Sequence, residues 1–205
     1  MKRAGLIVAI VAGLLVDGSW AAEVKPSAFP EKLRPKAEEA QKAFAAGEYR
    51  EAERIYEAMR KAAPDNLWVL SNLAVVQVRL DLKKKAEETL RTALLLAPED
   101  GFCRRMLGIV CYSQKKYDEA IAELTKAAAI DPKDAEAHLY LAFCAAEKGL
   151  TEVAERQFDR AAKLNPEFKI EPGKGVEGDR HWPVGDYLTP LERSRLRLPP
   201  MPLIR

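Results

Sequence analysis

The amino-acid sequence predicts an all-α fold: a superhelix of about four helix-turn-helix units followed by an irregular C-terminal tail. Four prolines stand 34 residues apart, at Pro64, Pro98, Pro132 and Pro166, and a fixed interval of this length is typical of a repeat array. Columns of small and of large apolar residues keep the same interval. Within each interval the apolar residues follow steps of three and four, which indicates amphipathic helices.

The first 21 residues have the features of a secretory signal peptide. A positive start at residues 1–3 precedes an uncharged apolar run at residues 4–16, and small residues follow at Ser19 and Ala21. The run is too short to cross a bilayer, which takes about 20 apolar residues. We expect cleavage after Ala21 and a periplasmic or secreted protein. The alternative is that the segment stays in place as an anchor.

Residues 22–32 are expected to form a linker, and four repeat units to cover residues 33–66, 67–100, 101–134 and 135–168. Each unit is expected to hold two helices joined by a polar turn, such as residues 113–116 in the third unit. The proline then closes the second helix, because it cannot donate the backbone hydrogen bond that continuation requires. Small residues stand where the two helices must approach closely, at Ala40, Ala74, Gly108 and Ala142, and again at Ala52, Ala86, Ala120 and Ala154.

These columns resemble those of the tetratricopeptide repeat family. Residues that carry the resemblance in the second to fourth units are Leu73, Ala74, Ala86, Leu90, Ala93 and Pro98; Leu107, Gly108, Tyr117, Ala120, Leu124, Ala127 and Pro132; and Leu141, Ala142, Ala154, Phe158, Ala161 and Pro166. A weaker first unit carries Ala40, Ala52, Tyr56 and Pro64. The resemblance implies a right-handed superhelix that serves as a scaffold for protein partners. Departures occur where the family has a large apolar residue or a tyrosine in the first helix: Lys36, Leu70, Arg104 and His138, then Ala43, Gln77, Cys111 and Ala145.

In this family the first helix of each unit lines the inner surface, which is commonly the binding face. The register places mostly apolar and aromatic side chains there, and these are the predicted partner-binding residues: Trp68, Asn72, Val75, Phe102, Arg105, Ile109, Tyr112, Tyr140 and Phe143. Such a groove favours an amphipathic helix or an extended apolar segment as its partner. The alternative is that some of these aromatic residues belong to the core.

The tail at residues 169–205 cannot continue the array, because it contains six prolines and four glycines. Thr189, Pro190 and Glu192 have the spacing of a helix start, so we expect one short helix near residues 190–198. Residues 198–204 are apolar and extended in character. We expect part of the tail to pack on the last unit or in the groove, in its own or a neighbouring molecule; the alternative is a disordered tail.

The cysteines leave two alternatives. Cys111 and Cys144 lie on neighbouring first helices at a separation that permits a disulfide, and the other alternative is that all three cysteines, with Cys103, act as small buried apolar residues. Cys103 and Cys111 cannot pair, since eight residues of helix separate them by about 12 Å.

No catalytic arrangement is recognisable in the sequence, and we expect no enzyme activity, no cofactor and no metal. The chain has two histidines, His138 and His181, and the glycine-rich residues 173–178 lack the spacing of a phosphate-binding loop. Without residues 1–21 the net charge is about +1. A charge this small gives no electrostatic reason to expect nucleic acid as a partner.

Two classes of function therefore stay open. The first is a scaffold outside the cytoplasm that holds a protein partner of unknown identity in its groove. The second is a self-assembling subunit whose tail enters its own or a neighbour's groove. A small-molecule or glycan carrier would rest only on the aromatic residues Trp68, Phe102 and Tyr140.

Overall fold

The computed structural model describes residues 27–166 and Phe168, and it is all-α within them, as predicted. A short 3-10 helix, Glu31–Leu33, leads into eight α-helices. They are α1 (Arg34–Ala45), α2 (Tyr49–Ala62), α3 (Leu67–Arg79), α4 (Lys83–Leu96), α5 (Gly101–Ser113), α6 (Tyr117–Ile130), α7 (Ala135–Glu147) and α8 (Thr151–Leu164). The helices form four consecutive pairs, from α1 and α2 to α7 and α8, and each pair lies within one predicted 34-residue unit. The predicted signal peptide, residues 22–26 of the linker and the tail with its short helix lie outside the described residues.

Three of the first helices begin with the same capping interaction. The side chains of Asn66, Asp100 and Asp134 each accept a hydrogen bond from the backbone N–H three residues further on, at 3.1, 2.7 and 3.0 Å. Such a cap satisfies one of the free N–H groups of the first turn. The sequence thus fixes where α3, α5 and α7 begin.

The turn inside each unit also repeats. One residue at the same position adopts a positive φ in all four units, and these residues are Gly47 (79°), Asp81 (57°), Lys115 (61°) and Gly149 (73°). A left-handed residue after a helix is the usual way to end it and reverse the chain. The first and last units use glycine there, and the middle units use other residues.

Consecutive helices pack against each other along the chain, and the first helices also contact one another, α3 with α5 and α5 with α7. This arrangement is that of a solenoid. The small-residue column Ala40, Ala74, Gly108 and Ala142 is buried, as is the large apolar column Tyr56, Leu90, Leu124 and Phe158. Between residues 27 and 166 no helix has the length and hydropathy of a membrane span.

Three of the departures from the family pattern, Gln77, Arg104 and His138, make polar contacts between the two helices of a unit. Thr89 donates a hydrogen bond to Gln77 (2.9 Å), Arg104 donates to Glu123 (2.8 Å), and His138 Nδ1 lies 2.8 Å from Gln157 Oε1. Buried polar groups are tolerated when they find such partners. The half-buried Phe44, Val78 and Tyr112 pack against the core. Each directly follows a position at which the family has a tyrosine and this chain does not.

Candidate partner-binding surface

The first helix of the third unit presents four of the predicted binding residues as one stripe. Phe102, Arg105, Ile109 and Tyr112 follow steps of three and four along α5, so they share a face, and all four are half-buried. We call this set the α5 stripe. Its side chains are partly accessible and predominantly apolar.

The other predicted residues are buried. On α3, Trp68 is 7% exposed and Asn72 and Val75 have no exposed surface; on α7, Tyr140 is 6% and Phe143 1% exposed. A partner that binds this conformation cannot contact Asn72, Val75 or Phe143 through their side chains. For Asn72 and Val75 the reason is that α3 packs against three helices, α2, α4 and α5. Nearly the whole circumference of α3 is therefore core.

Aromatic contacts connect the α5 stripe to the fourth unit. The Tyr112 ring lies 5.7 Å from that of Tyr140 and 6.0 Å from that of Phe143, and Phe143 lies 5.4 Å from Phe158 on α8. Burial raises the pKa of the Tyr112 hydroxyl, which therefore stays neutral. Tyr112 is the accessible end of an aromatic cluster, and its position is fixed by packing.

The charge of Arg105 is compensated at the junction between the third and fourth units. Its guanidinium lies 2.8 Å from Asp134 and 3.2 Å from Glu136, and 5.4 Å from the centre of the Phe102 ring. Burial raises the pKa of Glu136, while Arg105 acts in the opposite direction. Since its charge is already paired, Arg105 is poorly suited to recruit an acidic partner, and the stripe behaves as an apolar surface.

A cavity of about 300 Å³ adjoins the start of the stripe. Residues of the predicted linker form one of its walls, which sequence reasoning did not anticipate. Ser27 donates its backbone N–H to the carbonyl of Asp65 (3.1 Å), Asn66 donates its side-chain amide to the carbonyl of Ser27 (3.0 Å), and Phe29 meets Trp68 edge-on at 5.0 Å. We call this the linker cavity; its lining residues are Ser27, Ala28, Phe29, Asn66, Leu67, Trp68, Ser71, Asp100 and Phe102.

Of the two alternatives for the cysteines, this structure has the one without a disulfide: Cys103, Cys111 and Cys144 are free and buried. Burial raises the pKa of Cys111 to about 11 and that of Cys144 to about 12. The thiols are therefore protonated at neutral pH and pack as small apolar groups.

One group of side chains has the ligand types of a metal site. Single atoms of Glu87, Cys111 and Glu119 lie within 4.8 Å of one another. However, Arg91 bridges Glu87 and Glu119 at 2.8 Å to each, and Lys116 lies 2.9 Å from Glu87. A metal ion would have to displace both cations and deprotonate a buried thiol, so the group is better described as an ion-pair network between the second and third units.

Comparison with known proteins agrees with the repeat architecture. A family model described as tetratricopeptide repeat matches residues 43–102 and 112–170. A crystal structure of MamA protein superposes with a TM-score of 0.62 at 22% identity, covering 67% of this chain and 75% of that one. MamA from Desulfovibrio magneticus RS-1 gives 0.61 at 20% identity, covering 65% and 76%.

YrrB, described as a TPR protein with an unusual peptide-binding site, gives a TM-score of 0.57 at 25% identity, covering 62% of this chain and 66% of that one. The comparison with curated protein sequences gave no match. The likeness to MamA shows the fold alone.

Proposed function

The chain belongs to the tetratricopeptide repeat family, whose members are generally non-enzymatic scaffolds for protein partners, and we propose that it is a non-catalytic scaffold that holds an apolar or amphipathic segment of a partner against the α5 stripe. The observation that carries the proposal is the stripe itself: Phe102, Ile109 and Tyr112 are partly accessible on one helix face, and the single charge among them is paired. YrrB, a TPR protein with an unusual peptide-binding site, supports the same class of partner.

The proposed place of action is outside the cytoplasm. The support is the sequence of residues 1–21, with its positive start, short apolar run and small residues before Ala22. Fractionation of cells that express the full chain should recover a form shortened by 21 residues in the envelope or the medium. Recovery of the uncut chain from the cytoplasm would contradict this part of the proposal.

A photo-crosslinking amino acid tests the stripe in the intact protein. Placed at Ile109, it should yield a discrete cross-linked product. Placed at Leu95, which is 78% exposed on α4, it should not. Changing Tyr112 to Asp in the Ile109-labelled protein should reduce the product at least about tenfold, because a carboxylate buried against apolar groups loses its hydration. Equal cross-linking from Ile109 and Leu95 would overturn the proposal.

The second candidate function is a self-assembling subunit whose tail packs in its own or a neighbour's array. The observation that favours it is the apolar, proline-rich sequence of residues 198–204, which lies beyond the repeat domain in the same chain. Light scattering over a range of concentrations should show a compact monomer if the tail packs in its own array, or a dimer if it packs in a neighbour's. Removal of residues 185–205 should change the measured size in either case.

A further inference from the structure

The linker cavity has a composition that defines what it can accept. Three aromatic rings, Phe29, Trp68 and Phe102, contribute to its walls. The indole N–H of Trp68 and the hydroxyl of Ser27 are buried and have no hydrogen-bond partner within the described part of the chain. The indole N–H can only donate. Both polar atoms are covered in this conformation, so the accessible walls call for an apolar occupant, and acceptors on that occupant satisfy the two groups once their side chains turn toward the cavity.

The aromatic walls of the cavity favour an extended, proline-rich segment. A polyproline II segment keeps its carbonyl groups free to accept and has few N–H groups of its own to satisfy. Aromatic-lined sites are the usual receptors for such segments.

We propose that the linker cavity binds residues 198–204 of this chain. The segment is Leu-Pro-Pro-Met-Pro-Leu-Ile, so three of its seven residues lack a backbone N–H while its carbonyl groups are free to accept a hydrogen bond. Arg197 and Arg205 flank it, and the acidic residue Asp100 lines the cavity. Apolar character, acceptor pattern and charge all match.

The connection is long enough for binding within one molecule. Twenty-nine residues, 169–197, separate Phe168 from the segment. A flexible chain of this length spans about 30 Å on average and at most about 95 Å, whereas a compact domain of 140 residues has a radius of gyration near 14 Å. The same contact can form with the tail of a second copy, and the experiment separates the two. The inference gives a site to the second candidate function and rests on it, not on the scaffold proposal.

The test uses Trp68 as its own reporter. The chain has three tryptophans, so replacing Trp20 and Trp182 by Phe in the full chain leaves Trp68 alone. A ¹H–¹⁵N spectrum then shows one indole N–H signal. Changing Met201 and Leu203 to Asp should shift this signal, because the acceptor leaves the cavity. The matched control, Leu191 and Leu196 changed to Asp in the same tail, should leave it in place.

A synthetic peptide of residues 196–205 should return the signal of the Met201, Leu203 double variant to its original position. Phe102→Ser in that variant, or Phe29→Ser outside the repeat helices, should weaken peptide binding about tenfold or more through lost apolar contact. Leu95→Ser should leave the affinity unchanged. Circular dichroism checks that each variant is folded.

Dilution assigns the source of the tail. A Trp68 signal that is independent of concentration indicates binding within one molecule, and a signal that shifts on dilution indicates a second copy; both support the proposal. A signal that neither the Met201, Leu203 change nor the peptide moves overturns it. In that case a cross-link from Ile109 would still stand, so failure of this inference and failure of the scaffold proposal are separate outcomes.

Discussion

Gly108 shows how a single residue sets the distance between the two helices of a unit. A Cβ atom at this position would lie 2.5 Å from Leu124 Cγ and 3.3 Å from the carbonyl oxygen of Ala120. The second and fourth units have Ala74 and Ala142 at the same position, facing the column that holds Leu90 and Phe158. Glycine inside a helix costs about 0.5–1 kcal/mol relative to alanine. The third unit therefore accepts a weaker helix in exchange for closer packing of α5 on α6.

We expect Gly108→Ala to lower the free energy of unfolding by about 1–3 kcal/mol, because overpacking outweighs the gain in helix propensity. Urea titration followed by circular dichroism measures it. Gly101→Ala is the matched control: its Cβ would lie 3.2 Å from the Cγ2 atom of Ile130, a 39% exposed side chain that can move aside, so the change should stay within about 0.5 kcal/mol. A Gly108→Ala variant as stable as the parent would contradict the close-packing argument.

The sequence identified Gln77, Arg104 and His138 as departures from the repeat pattern, but it did not identify what compensates them. Their partners lie 12 to 19 residues away on the second helix of the same unit. Neither helix periodicity nor the repeat spacing states which polar side chain of one helix faces which of the other. Side-chain pairs between helices depend on rotation and crossing angle, which only the packed structure provides.

At the scale of elements, the inner turn of each unit depends on one left-handed residue. Gly47 and Gly149 adopt this conformation without steric cost. Asp81 and Lys115 adopt it with a Cβ, which costs roughly 1–2 kcal/mol for an L-residue. The turns of the two middle units are thus strained relative to those of the outer units.

Lys115→Gly should raise the free energy of unfolding by about 0.5–1 kcal/mol, since relief of the left-handed strain exceeds the added entropy of the unfolded chain. Gly149→Ala should lower it by about 1 kcal/mol for the reverse reason. Lys126→Gly, on the exposed face of α6, is the control and should lose about 1 kcal/mol. Thermal and urea unfolding report all three, and a loss of stability in Lys115→Gly would refute the strain argument.

Element boundaries followed from the sequence better than burial did. The proline interval predicts where the second helices end, whereas the caps Asn66, Asp100 and Asp134 at the starts of the first helices were recognised only from the structure. The set of inner-surface residues was less accurate, because Asn72, Val75 and Phe143 are core. A period of 3.6 residues shows which residues share a face. It does not show how many neighbours surround the helix, and α3 contacts three others.

Across the whole molecule, neighbouring units are joined by ion pairs as well as by apolar packing. Lys85 pairs with Glu53 between the first and second units (3.2 Å), and Arg105 pairs with Glu136 between the third and fourth (3.2 Å). Lys148 also contacts Asp118 across the last junction. In a repeat array the stability of the whole depends on such nearest-neighbour terms. The junction between the second and third units is the most connected of these through Glu87, which contacts Lys116, Arg91 and Gln114.

Glu87 should make this junction sensitive to acid. Burial acts to raise the pKa of its carboxyl group, but hydrogen bonds from Lys116, Arg91 and Gln114 outweigh burial and hold the pKa at about 2. A carboxylate whose pKa is lower in the folded than in the unfolded chain contributes stability that is complete above about pH 4.5 and is lost as the pH falls toward about 2. Protonation of Glu87 removes the negative charge that pairs α4 with Lys116 of the third unit.

Glu87→Gln should therefore cost about 1–2 kcal/mol at neutral pH, and the difference from the parent protein should vanish between about pH 4.5 and pH 2. Urea titrations at a series of pH values measure the difference directly, and other carboxylates cancel because both proteins share them. Glu88→Gln, at an exposed neighbouring position, is the control and should show a smaller cost. Because Glu87 couples two units, its replacement should also broaden the unfolding transition as the array loses cooperativity. A Glu87→Gln cost that is the same at pH 2 as at pH 7 would show that the network contributes through shape and not through charge.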